Sequence, residues 1–287
     1  MDVVLGANGH VGAAVAQTLL ARGRAVTVAL RSPTQAPTWE QRGATVAIVD
    51  VCNTPALATL LGQAHRAFVL NPPASPALDT DKVERASAHA IVAALQKVTL
   101  EKIVVQSTYG AQPGAHCADL GVLYELEQAV QALATPCCIV RAAYYMSNWL
   151  PLMATARTTG LLPSLVPAHQ RVPMVAPQDV GQLGAHLLAA PITETGLYAI
   201  EGPTPYSPTD VAACLNAAPN PPVTVQSIPK SDWENYYLAN GFSHMAARSY
   251  ATMTAIFTDQ TYNCPQHPHK GATDLATYFA QALLPNA

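Results

Sequence analysis

The feature that most restricts what this chain can become lies within its first dozen residues. A short apolar run, Asp2 to Gly6, breaks into Gly6-Ala7-Asn8-Gly9-His10-Val11-Gly12, and a helical pattern carrying Val11, Val15 and Leu19 on one face begins at once. Glycines at such a strand-to-helix bend let the backbone turn sharply and approach a pyrophosphate with no Cβ in the way. They also let the helix pack closely on the strand with its N-terminus facing the anion. The spacing is Gly-x-x-Gly-x-x-Gly, a departure from the Gly-x-Gly-x-x-Gly fingerprint, and a purely structural turn is the competing reading. Gly6, Asn8, Gly9, His10, Val11 and Gly12 are therefore the candidate pyrophosphate-binding residues.

The alternation set by this loop continues. Apolar runs at Asp2–Gly6, Ala25–Leu30, Ala44–Val49, Arg66–Asn71, Lys102–Ser107 and Pro136–Arg141 read as strands. Between them, Val11–Arg22, Pro55–Gln63, Asp81–Lys97 and Ala118–Ala134 read as helices, with Gly23 at a left-handed C-cap. That order predicts an α/β fold, a doubly wound parallel Rossmann sheet with helices on both faces. Beyond Arg141 the periodicity weakens and many of the 24 prolines gather. Helices are expected at Met146–Thr159, Pro177–Ala189, Pro208–Asn216, Ser231–Asn240, Ser243–Phe257 and Ala272–Leu283. Extended pieces at Gly196–Glu201 and Val223–Ile228 are expected to lengthen the main sheet. Residues 1–150 are thus read as the dinucleotide-binding domain, and 151–287 as a smaller mixed substrate region partly packed back on the sheet.

Composition removes whole classes of function. Half of the 287 residues are hydrophobic and only 11% are charged, against about 25% in an average globular protein, which disfavours disorder. Fifteen Lys and Arg against eighteen Asp and Glu leave a net charge of −3, no footprint for nucleic acid or an anionic membrane. No apolar run approaches the roughly 18 residues of a span, and the N-terminus lacks a signal-peptide pattern, so a cytoplasmic protein is expected. The six cysteines read as reduced thiols, with Cys137 and Cys138 packed in a strand. Cys264, His267 and His269 are too few for a structural zinc site, and no metal is expected. The sparse charge points to a homodimer covering part of the surface.

Cofactor choice is written at the end of the second strand. An acid there would hold the ribose hydroxyls of NAD; Arg31 stands instead, and its guanidinium can pair with a 2′-phosphate. NADP(H) is favoured, with a solvated strand-end arginine as the plainer account. Asp50 and Val51, after the third strand, would flank the adenine, although Asp50 serves equally well as a cap on the next helix.

With this loop, Arg31 and the run Arg141-Ala-Ala-Tyr-Tyr-Met-Ser-Asn148-Trp149, the chain resembles the NmrA-like branch of the atypical short-chain dehydrogenase/reductases. That branch carries Arg-Pro-x-x-Phe-Met-x-Asn after its sixth strand; here Ala142 replaces the Pro and Tyr145 stands for the Phe. Glu127, the segment Pro173–Gly181 with Asp179, and Tyr198-Ala-Ile-Glu-Gly-Pro203 extend the likeness over nearly the whole chain. The resemblance implies that Asn71, Pro72 and Pro73 line the nicotinamide ribose. It also implies that Ser107, Thr108 and Tyr109 face the nicotinamide, and that Ala143, Tyr144, Tyr145 and Met146 close its far side. The family includes NADPH-dependent quinone reductases, imine and enone reductases, and regulators that bind the dinucleotide without turnover.

A typical short-chain dehydrogenase protonates its product with a Tyr whose acidity is raised by a Lys four residues on. None of the eleven tyrosines here has that partner. Aligned on Glu127, the pair's positions hold Asp119 and Leu123, and Leu123, Leu126, Val130 and Leu133 form a core stripe instead. Candidate hydrogen-bond donors are Tyr124, Ser107 and Tyr109, with Tyr144 a further one. His116, in the flexible Ala111–Cys117 stretch, is a candidate substrate contact. Tyr124, Tyr145, Met146 and Trp149 are candidates for a substrate wall, though an aromatic and Met cluster at a helix start is as well explained by core packing. The function expected is an NADP(H)-dependent oxidoreductase acting on a small, mainly apolar quinone, enone or imine. The alternatives are a non-catalytic NADP-sensing regulator with a protein partner and a redox-neutral enzyme.

Overall fold

A computed structural model describes residues 1–216 and 222–282. Its first half runs β1 (Asp2–Leu5), α1 (His10–Ala21), β2 (Val26–Leu30), α2 (Ala36–Gln41), β3 (Thr45–Ile48), α3 (Thr54–Leu61), β4 (Arg66–Val69), α4 (Thr80–Leu95), β5 (Lys102–Thr108), α5 (Asp119–Gln131) and β6 (Cys137–Ala142). The six expected strands and four expected helices are present within a few residues. Gly23 sits at φ +72° directly after α1, and its N–H donates to Leu20 C=O. The α-helix of this half without a counterpart in the sequence reading is α2, whose Ala-Pro-Thr-Trp-Glu-Gln carries no helical period; Trp39 anchors it in the core.

The second half runs β7 (Tyr144–Tyr145), α6 (Leu150–Thr159), β8 (Leu161–Ser164), β9 (Val172–Val175), α7 (Pro177–Ala189), β10 (Gly196–Glu201), β11 (Pro205–Tyr206), α8 (Pro208–Leu215), β12 (Thr224–Ser227), α9 (Trp233–Ala239), α10 (His244–Thr258), β13 (His269–Lys270) and α11 (Leu275–Ala282). Met146–Trp149 is a 3-10 turn ahead of α6 rather than its first turn, because Pro151 sets the start of the helix. The expected last helix begins three residues late, and its expected end, Leu283, lies outside the described residues.

Eight parallel strands form the main sheet in the order β13-β10-β6-β5-β4-β1-β2-β3. The order reverses between β1 and β4, the point where open α/β sheets bind ligands beyond their carboxyl ends. β1 is buried along its whole length, so its side chains alternate between two cores. Val4 points to the cluster under α1 and α7, with Val15, Phe68 and Val180. Val3 and Leu5 point to the cluster under α3, α4 and α5, with Leu57, Ile91 and Leu126. Covering both faces explains why these strands read as unbroken apolar runs.

Gly196–Glu201 does extend the main sheet, pairing with β6. Val223–Ile228 does not: its central residues, β12, pair with β8 in a separate two-stranded sheet, since Thr224 and Ser227 are too exposed to lie between two helical layers. A third core, with Met146, Met153, Leu162, Met174, Val211 and Phe279, holds this roof together. Asp179 at the start of α7 ties it down, accepting from the Thr273 N–H at 2.9 Å and hydroxyl at 2.8 Å. Among the described residues no helix is long and apolar enough to cross a membrane.

Candidate functional site

The glycine loop closes on itself. Gly6 adopts φ +71°, and its carbonyl accepts the Gly9 N–H at 2.9 Å. A Cβ on Gly12 would lie 2.3 Å from that same carbonyl oxygen, so only glycine lets α1 start here. Gly9 is different: it caps α1 at φ −92°, and a Cβ on it would meet only the Gly6 oxygen at 3.5 Å. The first intrahelical bond runs from Ala13 N–H to Gly9 C=O, leaving the N–H groups of His10, Val11 and Gly12 ahead of the ladder. Asn8, Gly9 and His10 are exposed. Open space, positive backbone and helix dipole at one bend are what a diphosphate requires.

Arg31 is exposed at the end of β2. Asp50 is exposed too, and accepts the Cys52 N–H at 2.9 Å. It does not cap the following helix; Asn53 does, accepting from Ala56 N–H at 3.2 Å. Val51 is half-buried against the α3–α4–α5 core. Asn71 is committed to α4, donating to the Glu84 carbonyl at 3.0 Å and accepting from the Ser87 hydroxyl at 2.7 Å. Its side chain positions the loop carrying Pro72 and Pro73.

Ser107 occupies a different setting from the one expected of a donor at the nicotinamide. It is 1% exposed and its hydroxyl donates to the Glu127 carboxylate. Glu127, equally buried, takes Arg141 in a two-pronged pair at 2.8 and 2.6 Å. This triad clamps β5, α5 and β6 together in the core, and its hydroxyl does not line the cavity described next.

That cavity, about 620 Å³, opens beyond the C-terminal ends of β5 and β6. Thr108, Tyr109 and Ala143 form its floor; Tyr144, Trp149 and Phe257 form one wall, and Tyr236, Tyr237, Phe242 and Tyr250 the roof. Tyr144 stacks on Phe257 with ring centroids 5.3 Å apart, and Phe242 meets Tyr250 edge-on at 5.0 Å. Such packing holds flat surfaces open for a planar guest. The Tyr145 hydroxyl accepts from Gln106 Nε2 at 2.6 Å, which leaves Gln106 Oε1 buried in the wall with no protein partner among the described residues. β1 and β5 are separated only by β4, so cradle and cavity lie two strand spacings apart, about 10 Å.

Several expected site residues fall elsewhere. Met146 is fully buried in the roof core and does not reach the cavity. Tyr124, half-buried on α5, and His116, exposed in a left-handed conformation at φ +56°, are not in its wall. Tyr109 is in the wall, but its hydroxyl faces the Glu201 carboxylate at 3.2 Å, and burial pushes its titration far up. Burial does the same to Tyr144 and Tyr145, so these phenols stay neutral and none is the activated acid of a short-chain dehydrogenase. Leu123 lines the cavity rather than serving only as core.

The wall also contains Asp119, the first residue of α5. Ala118 before it takes φ +48°, a costly conformation for a residue with a Cβ, and this bend delivers the carboxyl to the cavity. Asp119 lies near Glu84 on α4, and burial together with the neighbouring Asp119 carboxyl pushes the Glu84 carboxyl up to about 8. Sequence reasoning placed Asp119 at the acid's position but saw no partner for it. The aromatic roof on α9 and α10 was likewise missed, because ordinary helix-face tyrosines carry no motif.

The NmrA-like family model matches residues 3–278, and the chain belongs to that family. It is 25% identical to the NAD(P)H azoreductase of Xenophilus azovorans over 79% of this chain and 77% of that protein. The fold superposes on the NADPH-dependent quinone oxidoreductase QOR2 of Escherichia coli, solved with NADPH, with a TM-score of 0.78, 18% identity, and coverage of 98% of this chain and 99% of that one. It also matches Nmra, a negative transcriptional regulator solved in complex with NAD, with a TM-score of 0.66, 19% identity, and coverage of 91% and 82%.

Proposed function

We propose that the protein is an NAD(P)H-dependent reductase of a planar, mainly apolar conjugated acceptor of the quinone, azo, enone or imine type. The observation that carries this reading is the aromatic cavity beside the glycine cradle at the carboxyl ends of the strands, spaced as the nicotinamide and the diphosphate of an extended dinucleotide require. The azoreductase and quinone oxidoreductase likenesses support the same class. When bound, the reduced dinucleotide supplies the hydride.

The chain's own work is binding, orientation and exclusion of water. His10, Val11 and Gly12 offer backbone N–H groups to the diphosphate, and Arg31 pairs with a 2′-phosphate, favouring NADP(H). Thr108 and Ala143 form the floor on which the nicotinamide lies. Tyr144, Trp149 and Phe257 hold the acceptor flat above it, converting an encounter into a fixed approach.

Incubation with NADPH and a panel of quinones, azo dyes, enones and imines is expected to show acceptor-dependent loss of the dihydronicotinamide absorbance. Tight NADPH binding without turnover across the panel would instead favour a regulator. Gly9→Val, whose Cβ fits the backbone and meets only the Gly6 oxygen at an ordinary 3.5 Å, is expected to abolish dinucleotide binding with the fold intact. Arg31→Asp is expected to weaken NADPH by about 10–100-fold, the loss of a charge-assisted contact of ~1.5–3 kcal/mol, while sparing NADH.

A further inference from the structure

The cavity combines many rings with a single carboxyl group and no base. Nine aromatic side chains line it, and Asp119 stands half-buried in its wall, while no Lys, Arg or His lines it among the described residues. None of the ion pairs formed by those residues includes Asp119. On α4, Asp81 and Glu84 are 6% and 2% exposed and add acid to this end of the cavity. Arg85 of the same helix is taken by Glu125 at 2.7 and 3.1 Å. Burial works against the Asp119 charge, and the neighbouring Glu84 works for it. What this carboxylate lacks is a cation, and the open side of the group is the cavity.

The rings are set for the same kind of guest. In the roof, Tyr237, Phe242 and Tyr250 meet one another at 54–70° with centroids 4.9–5.7 Å apart. In the wall, Tyr144 lies 5.3 Å from Phe257 and 6.1 Å from Trp149. Rings at such angles enclose a space from several sides, which makes a box rather than a slot. Aromatic faces are negative, so a box of them attracts a positive guest beyond the apolar contact that any guest receives.

We propose that the acceptor reduced in this cavity is a delocalised organic cation, an N-alkylated iminium or N-alkylated heteroaromatic ring, held by the aromatic box with Asp119 as its counter-ion. The assignment rests on the reductase reading above and narrows it. It also accounts for the missing Tyr and Lys pair. A C–H bond forms at the electrophilic carbon and the C=N π pair withdraws to nitrogen. The hydride comes from the reduced dinucleotide, which is oxidised in the exchange. The product is a neutral amine, so no proton is taken up, and with its charge gone it loses the attraction of Asp119.

The test titrates the intact protein with N-methylacridinium and with acridine at neutral pH, two three-ring planes of which only the first is a cation. Calorimetry without dinucleotide comes first. N-methylacridinium is expected to bind about tenfold or more tighter than acridine. Asp119→Asn keeps the shape and discards the charge; it is expected to weaken N-methylacridinium about tenfold or more and acridine less than about threefold, with NADPH affinity unaltered. Phe242→Leu keeps apolar bulk and discards a ring, and should weaken the cation about three- to tenfold and acridine less. With NADPH added, N-methylacridinium should be reduced to N-methylacridan, and the loss in Asp119→Asn should fall on KM rather than kcat. Equal binding of the two planes by the unmodified protein, a measurement that needs no variant to fold, would overturn the proposal. So would equal loss of both, or loss of neither, in Asp119→Asn. If the cation binds as expected but NADPH reduces neither it nor any other acceptor, the cation site stands and it is the reductase reading that fails.

Discussion

Two glutamates sit almost completely out of water on the adjacent helices α4 and α5, and the molecule treats them in opposite ways. Glu127 is met by the fork of Arg141 and the hydroxyl of Ser107, so its charge is matched and its geometry fixed from three elements. Glu84 is met by another carboxyl and one backbone N–H. A buried carboxylate with a cation is a rivet; one without a cation is a place where a proton is kept. Equal burial therefore says little about role until the partner's charge is known.

This contrast can be broken most forcefully at Glu127. Glu127→Ala strands the Arg141 guanidinium and is expected to cost about 3–5 kcal/mol, read as a lower urea midpoint with an unchanged slope. Ser107→Ala removes one donor from an acceptor that keeps Arg141, for about 1–2 kcal/mol; turnover is expected to follow stability alone, since the hydroxyl lies outside the cavity. Glu84→Gln should change stability by less than about 1 kcal/mol near pH 6, because the amide can replace the shared proton.

Its sharper signature is in the pH dependence. The native pair holds a proton that the unfolded chain releases in the ordinary carboxylate range. Its contribution is therefore complete at acid pH and is lost as pH rises toward about 8, the value to which Glu84 is pushed. Thermal melts between pH 5 and 9 should show a decline in the unmodified protein that flattens in Glu84→Gln. A Glu84→Gln variant as damaged as Glu127→Ala would erase the distinction.

Much of the sheet was legible because its physics is local. Strands covered on both faces carry apolar residues on both sides, as Val3–Leu5 and Ile103–Val105 do, and the helices between them repeat with the period of one buried face. The glycine loop was legible because Gly12 has no steric alternative. Short strands such as Tyr144–Tyr145, Pro205–Tyr206 and His269–Lys270 were not, since two residues carry no period and are extended only because a neighbour pairs with them. The partnership of Asp119 with Glu84 was hidden for the same reason: it exists only once α4 and α5 pack. Likewise, Tyr236, Tyr237 and Tyr250 become a surface for a ligand only when α9 and α10 close over the strand ends.

Trp149 offers a practical dividend of that closure. It is the tryptophan that lines the cavity, 2% exposed, with its indole N–H unsatisfied by protein among the described residues. Trp39 lies beneath Arg42 and Trp233 donates to Ile228 C=O. A conjugated acceptor laid against the wall that Trp149 shares with Tyr144, ring centroids 6.1 Å apart, would quench the indole, so its fluorescence forms an optical gauge of occupancy that needs no added label.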